Sequence, residues 1–253
     1  MNKLIWLLLL VSPALGLTGC DCGGDNYPSD CLLSSDASRF DTEIVFLSQL
    51  VDTSGGEDDA VTADLFAGTQ SAALFADRGY STTGEGGTAS LRLNDSQQQV
   101  AFSLHRSRDD SVLVSNAGAV LEQSEHYWVL ALGTFADVNS FQLATLRRDQ
   151  QSVAGNRVSI RFLNALAETA SPLRVLDGAD VVVTSLFFGD NTGYVTANPD
   201  NGSLSIELRT QDDQQVATPS CDVQEGGTYL GVLGYAGSDS TADDSIRLYC
   251  HRE

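Results

Sequence analysis

Apolar and polar residues alternate in short runs along most of this chain, with the period of two expected of half-buried strands. Leu204, Ile206 and Leu208 alternate with Ser205, Glu207 and Arg209. Val100, Phe102 and Leu104 do the same among Gln99, Ala101, Ser103 and His105. Near the end, Ile246, Leu248 and Cys250 are expected to face inward, and Arg247, Tyr249 and His251 outward. Turn residues separate the runs. Asp200-Asn201-Gly202 reads as a hairpin turn, because Asn and Gly tolerate positive φ, and Asp177-Gly178 and Asn94-Asp95 mark others. No stretch sustains a 3.6-residue apolar period for ten residues between helix caps, although 117–126 leaves room for a short helical turn. Short strands at this density predict an all-β chain built as an antiparallel β-sandwich of immunoglobulin-like type.

The pattern also repeats. Ile44-Val45-Phe46-Leu47-Ser48-Gln49-Leu50 matches Ile160-Arg161-Phe162-Leu163-Asn164-Ala165-Leu166, and the block 63–68 matches 173–178. Leu74-Phe75 with Tyr80 parallels Leu186-Phe187 with Tyr194, and 90–93 parallels 205–208. Trp128 through Gly133 corresponds to Tyr229 through Gly234, and Phe141 to Arg147 corresponds to Ile246 to Arg252. Six blocks in one order predict two tandem sandwich domains, 40–149 and 156–253.

Ahead of the repeats, Lys3, the apolar run Leu4–Val11 and Pro13 form the parts of an export signal, ending in Leu17-Thr18-Gly19-Cys20. This ending resembles a bacterial lipoprotein processing site. The resemblance implies removal of 1–19, lipidation of Cys20, a tether over 20–39, and a membrane partner through the N-terminal lipid. An apolar run this short cannot span a bilayer core of about 30 Å. Asp21 after the cysteine resembles the signal that retains enterobacterial lipoproteins at the inner membrane, so the periplasmic face is expected, with outer membrane or cell surface as the other destinations.

Composition narrows the partners. Lys3 is the only lysine, and 34 acidic residues bring the formal charge to −20 at pH 7. Such a surface repels nucleic acid and anionic headgroups. An apolar content of 42% argues against wholesale disorder. Besides Cys20, four cysteines remain, an even number suited to an oxidising compartment. Cys22–Cys31 and Cys221–Cys250 is the favoured pairing. In the repeat alignment Cys250 falls opposite Thr145 and Cys221 near Val120, as expected of a disulfide added to one copy. Neither Cys spacing has the short separation of a zinc site.

The second repeat carries Arg157-Val158-Ser159-Ile160-Arg161-Phe162-Leu163-Asn164-Ala165, Arg174-Val175-Leu176-Asp177-Gly178, Phe188-Gly189 with Tyr194, and Gly227-Thr228-Tyr229. In these blocks it resembles the DUF4397 family of bacterial envelope and secreted proteins. The likeness covers 157–253 and more faintly 42–148. Glu168-Thr169-Ala170-Ser171-Pro172 replaces the family's usual Ser-Pro-Asp-Ala-Pro, and the first copy lacks Phe-Gly. It implies an envelope β-sandwich and brings no catalytic residues with it.

Candidate chemistry is sparse. His105, His126 and His251 are the acid–base candidates, each expected to be a surface histidine. No nucleophile elbow, zinc-protease motif or phosphate loop is present. Acidic loops offer weak calcium candidates: Asp52, Glu57, Asp58 and Asp59, then Asp109-Asp110, then Asp239, Asp243 and Asp244. Tyr80, Tyr194, Trp128 and Tyr229 are the aromatics to weigh for recognition, although aromatics at strand centres usually belong to the core. The leading expectation is a non-enzymatic envelope lipoprotein, without cofactor, that serves as an interaction or structural module for an unidentified envelope partner. The alternative is a calcium- or glycan-binding module, and an enzyme comes third.

Overall fold

The computed structural model describes residues 40–53, 61–82, 87–169 and 171–253. Residues 40–253 form one compact all-β unit, whose only helical element among the described residues is a 3-10 turn at Asp243–Ser245. The signal, Cys20, Asp21, Cys22 and Cys31 lie outside the described residues.

The first half contributes β1 (Phe40–Val51), β2 (Ala63–Ala67), β3 (Phe75–Arg78), β4 (Gly87–Leu93), β5 (Gln97–Arg106), β6 (Val112–Glu122), β7 (His126–Thr134) and β8 (Asp137–Arg147). They form two sheets, ordered β4-β1-β7-β8 and β3-β2-β5-β6. The second half contributes β9 (Val158–Asn164), β10 (Leu173–Asp177), β11 (Asp180–Leu186), β12 (Val195–Ala197), β13 (Ser203–Ser205), β14 (Glu207–Arg209), β15 (Gln215–Ala217), β16 (Ser220–Asp222), β17 (Thr228–Tyr235) and β18 (Ile246–Arg252). Its sheets run β12-β9-β17-β18 and β11-β10-β14-β15, with β13 paired to β16. The sheet plan is thus repeated, and in each half the first strand pairs in parallel with the penultimate one. This order differs from the ABED/CFG arrangement of an immunoglobulin domain.

The pairing registers refine the repeat. Leu65 faces Leu104 and Val175 faces Leu208, so Val100, Phe102 and Leu104 are the counterparts of Leu204, Ile206 and Leu208. Ser90–Leu93 instead lies on β4, paired with β1, and does not correspond to Ser205–Leu208. Two strands with the same alternation cannot be told apart until their neighbours are known. Ile44 pairs with Tyr127 and Ile160 with Tyr229, which makes Tyr127, not Trp128, the counterpart of Tyr229. Ala63 faces Arg78 and Leu173 faces Leu186, which places Tyr80 opposite Phe188 rather than Tyr194.

Burial explains the least regular sequences. β9 and β17 are buried at every position, and β1 and β7 over most of their length. They read as continuous apolar runs because both their faces are covered. Ile44, Phe46, Tyr127 and Val129 face one core, shared with Leu65, Phe102 and Leu104 of the neighbouring sheet. Ile160, Phe162, Tyr229 and Leu233 face a second core with Val175, Leu204 and Leu208. The opposite faces meet in a third: Val45, Leu47, Trp128, Leu130, Leu132 and Leu146 from the first half, Leu163, Leu230 and Val232 from the second. The β1 and β9 sheets therefore pack on each other, with the β2 and β10 sheets outermost.

Segment 117–126 is strand and turn, not helix, since β6 pairs with β5 as far as Glu122. The Asn-Gly turn forms as expected. Asn201 and Gly202 both have positive φ, and Asp200 and Ser203 exchange backbone hydrogen bonds of 2.8 and 2.9 Å. Cys221 on β16 is bonded to Cys250 on β18. Register puts Ala119 and Thr145 at the matching places in the first half.

Candidate functional site

The polar end of the interface between the two halves forms a cleft of about 380 Å³, lined by Glu43, His126, Arg148, Gln150 and Glu253. Elements of both halves build it. Glu43 stands on β1 and His126 at the start of β7, paired in register. Arg148 follows β8, and Glu253 follows β18 at the equivalent position.

Two ionic groups order the walls. Glu43 Oε1 lies 2.9 Å from His126 Nδ1 and 3.4 Å from Arg148 NH1. Deeper, Glu253 accepts the Nε–H of buried Arg161 at 2.8 Å and the backbone N–H of Asp149 at 2.8 Å. Arg161 also donates to the carbonyl of Arg147 at 2.5 Å. The Tyr194 hydroxyl donates to Glu253 and, at 3.1 Å, to the Asp149 carbonyl. Burial, then the Glu253 carboxylate, pushes the Tyr194 phenol up, so it stays a neutral donor. A buried charge pair is costly unless its remaining bonding capacity is filled. Here the carboxylate has three kinds of donor, which fixes the connection between the halves.

Beneath the cleft, the Arg148 guanidinium carbon lies 4.7 Å from the centre of the Trp128 ring, and Trp128 lies 5.5 Å from the His251 ring. His251 was expected at the surface but is only 2% exposed. Its strand belongs to an inner sheet, so the face that would be solvated in an isolated sandwich is covered by the other half. Burial pushes the His251 pKa down to about 4. Neither of its ring nitrogens has a hydrogen-bond partner, nor does Trp128 Nε1 or Arg148 Nε.

The other sequence candidates are placed elsewhere. His105 pairs with Asp110 at 2.7 Å on the outer sheet of the first half. Asp52 faces Arg106 at 3.7 Å, and Glu57, Asp58 and Asp59 lie outside the described residues. Asp109 accepts from the hydroxyl and backbone N–H of Ser111, which hold its carboxyl below the usual range. Asp243 and Asp244 lie in the 3-10 turn. Among the described residues no group of His, Cys, Asp or Glu stands close enough to hold a metal.

No family model and no curated protein sequence matches the chain. Among solved structures it is similar to a family CBM26 carbohydrate-binding module of Eubacterium rectale Amy13K in complex with maltoheptaose. That likeness has 12% identity over 76% of this chain and 91% of that one, with a TM-score of 0.21. It is also similar to family 41 carbohydrate-binding modules from streptococcal virulence factors, at 8% identity over 83% and 97%, with a TM-score of 0.24. Similarity this shallow says nothing about the chemistry of the cleft.

Of the aromatic candidates, Trp128 and Tyr80 stand at the junction, whereas Tyr229 lies in the core of the second half; Trp128 and Tyr229 are each 3% exposed. The half-buried Tyr80 crosses between the halves, donating to the Tyr235 carbonyl at 2.9 Å and accepting from its N–H at 2.7 Å. Its counterpart Phe188 packs into the third core, and a Cβ on neighbouring Gly189 would meet the Gln142 side chain of β8 at 2.0 Å. The Phe-Gly pair thus sits where the halves touch. Sequence reading missed Glu43, Arg148, Gln150 and Glu253. The usable signal was Arg148 and Glu253, opposite charges one residue beyond the aligned Arg147 and Arg252.

Proposed function

We propose that this chain is a non-catalytic binding module of the bacterial cell envelope, anchored through a lipid on Cys20, whose inter-repeat cleft receives a neutral glycan. In this reading 40–149 and 156–253 are two DUF4397-like sandwich domains, and their packing creates the site. One observation carries it. Glu43, His126, Arg148 and Gln150 present planar polar side chains to a cleft of ligand size, whose wall the second repeat completes through Glu253, its own carboxylate buried against Arg161. Such side chains hydrogen-bond neighbouring hydroxyls in pairs, and the charge of −20 disfavours an anionic polymer. The Cys221–Cys250 disulfide agrees with an oxidising envelope compartment. Calorimetric titration with maltohexaose, cellohexaose and chitohexaose tests the proposal. Binding of one of them that weakens in His126→Ala and Gln150→Ala supports it, and absence of heat with all three removes it.

A second reading, docking of an envelope protein, is favoured by the open edge between β6 and β8. There a pocket of about 580 Å³ includes Gly118, Ala119, Val120 and Thr145, with Val120 55% exposed. Crosslinking in the native membrane tests it: a partner captured through a photoreactive residue at 120 supports it, and no adduct counts against it.

A further inference from the structure

We propose that Arg148 is a displaceable cap over Trp128, and that the uncovered indole is the stacking floor for a sugar ring. This deepens the glycan reading and rests on it. The cap is lightly held. Its side-chain hydrogen bonds, to Glu43 Oε1 at 3.4 Å and to the Arg252 carbonyl at 3.3 Å, are long for charge-assisted contacts. Its Nε is buried without a partner. What fixes the guanidinium is mainly its place over the indole face, 4.7 Å from the ring centre.

The floor is unfinished in a way that points to a ligand. Trp128 Nε1, a donor only, is buried and unpaired, and so are both nitrogens of His251 against the same ring. Buried polar side chains are ordinarily satisfied, so several orphans in one cluster call for an explanation. A pyranose offers a C–H face to an indole and hydroxyls that both donate and accept. Those are the groups missing around Trp128 and His251. A cation would meet Arg148 and an anion would meet Glu43, which leaves a neutral hydroxyl-rich ring as the fitting class. Once Arg148 swings away it keeps Glu43 within reach at the cleft wall.

Trp6 and Trp128 are the only tryptophans, so the full chain carrying Trp6→Phe reports on Trp128 alone. Without sugar, adding Arg148→Ala should move the emission to longer wavelength and raise acrylamide quenching roughly twofold or more, as loss of the stacked cation uncovers the ring. Glu43→Gln, which keeps the arginine but weakens its hold, should give a smaller change in the same direction with unaltered circular dichroism. Unchanged emission and quenching in folded Arg148→Ala, or in Glu43→Gln if the former does not fold, overturns the cap. Maltohexaose, cellohexaose or chitohexaose should then protect Trp128 from acrylamide in both the parent and the variants. If Trp128 is uncovered by Arg148→Ala but no sugar protects it, the stacking floor is overturned. If a sugar binds by calorimetry while Arg148→Ala leaves the ring covered, the cap alone fails and the cleft reading stands.

Discussion

Tyr127 and Tyr229 occupy the same position in the two repeats and do the same thing there. Each hydroxyl accepts the backbone N–H of the residue five places earlier, Glu122 at 3.0 Å and Gln224 at 2.6 Å. The ring enters the core of its own repeat while the hydroxyl closes the turn before the strand. Removing the hydroxyl leaves a part-buried N–H unpaired and the packing unchanged. Tyr127→Phe and Tyr229→Phe should each cost about 1–2 kcal/mol in urea unfolding. A loss confined to one of them would show that the repeats do not share this device.

The disulfide and its missing twin give a second prediction. Cys221–Cys250 joins β16 to β18, and Ala119 and Thr145 stand at the matching places beside the open edge pocket. Ala119→Cys with Thr145→Cys should therefore form a bond on oxidation and stabilise the chain by roughly 3 kcal/mol. Comparing oxidised and reduced double variant by thermal unfolding, with the native bridge removed as a control, checks it. Failure of the thiols to pair would mean that the two edges lie farther apart than their registers imply.

Acid should weaken the junction through His251. Its folded pKa, about 4, lies below the ordinary histidine value, so the unfolded chain takes up the proton first as pH falls. The stability due to the neutral buried ring is complete above about pH 6.5 and is lost progressively down to about pH 4, amounting to about 3 kcal/mol at most. The first repeat has Leu146 at this place, by register. His251→Leu should remove this part of the acid loss and leave stability at pH 7 equal or higher. An unchanged slope of unfolding free energy between pH 6.5 and 4 would rule the assignment out.

The buried pair of Arg161 and Glu253 should behave differently from the surface pairs. Arg161→Ala strands a carboxylate that is fully buried, and about 3–5 kcal/mol should be lost. Arg174→Ala breaks a pair with the exposed Asp213 and should cost less than about 1 kcal/mol. Equal losses in denaturant titrations would contradict the burial difference.

The sequence by itself determined the strand character, the repeat, the Asn-Gly turn and the Cys221–Cys250 partnership. Each is written in local alternation, in residues that tolerate positive φ, or in comparison between copies. Outer strands such as β2 and β5 were legible because one face is dry and the other wet. Their neighbours were not: β4 and β14 carry similar alternation, and only pairing shows that Ser90–Leu93 runs beside β1. The fate of the inner sheets was also undecided by sequence. Continuous runs like Tyr127–Leu132 say that both faces are buried without saying against what. Packing of one repeat on the other supplied that answer, moved His251 from the surface into the interior, and brought Glu43, Arg148 and Glu253 together. Residues so distant in the chain share no local signal, because the free energy that unites them comes from covering two apolar faces at once.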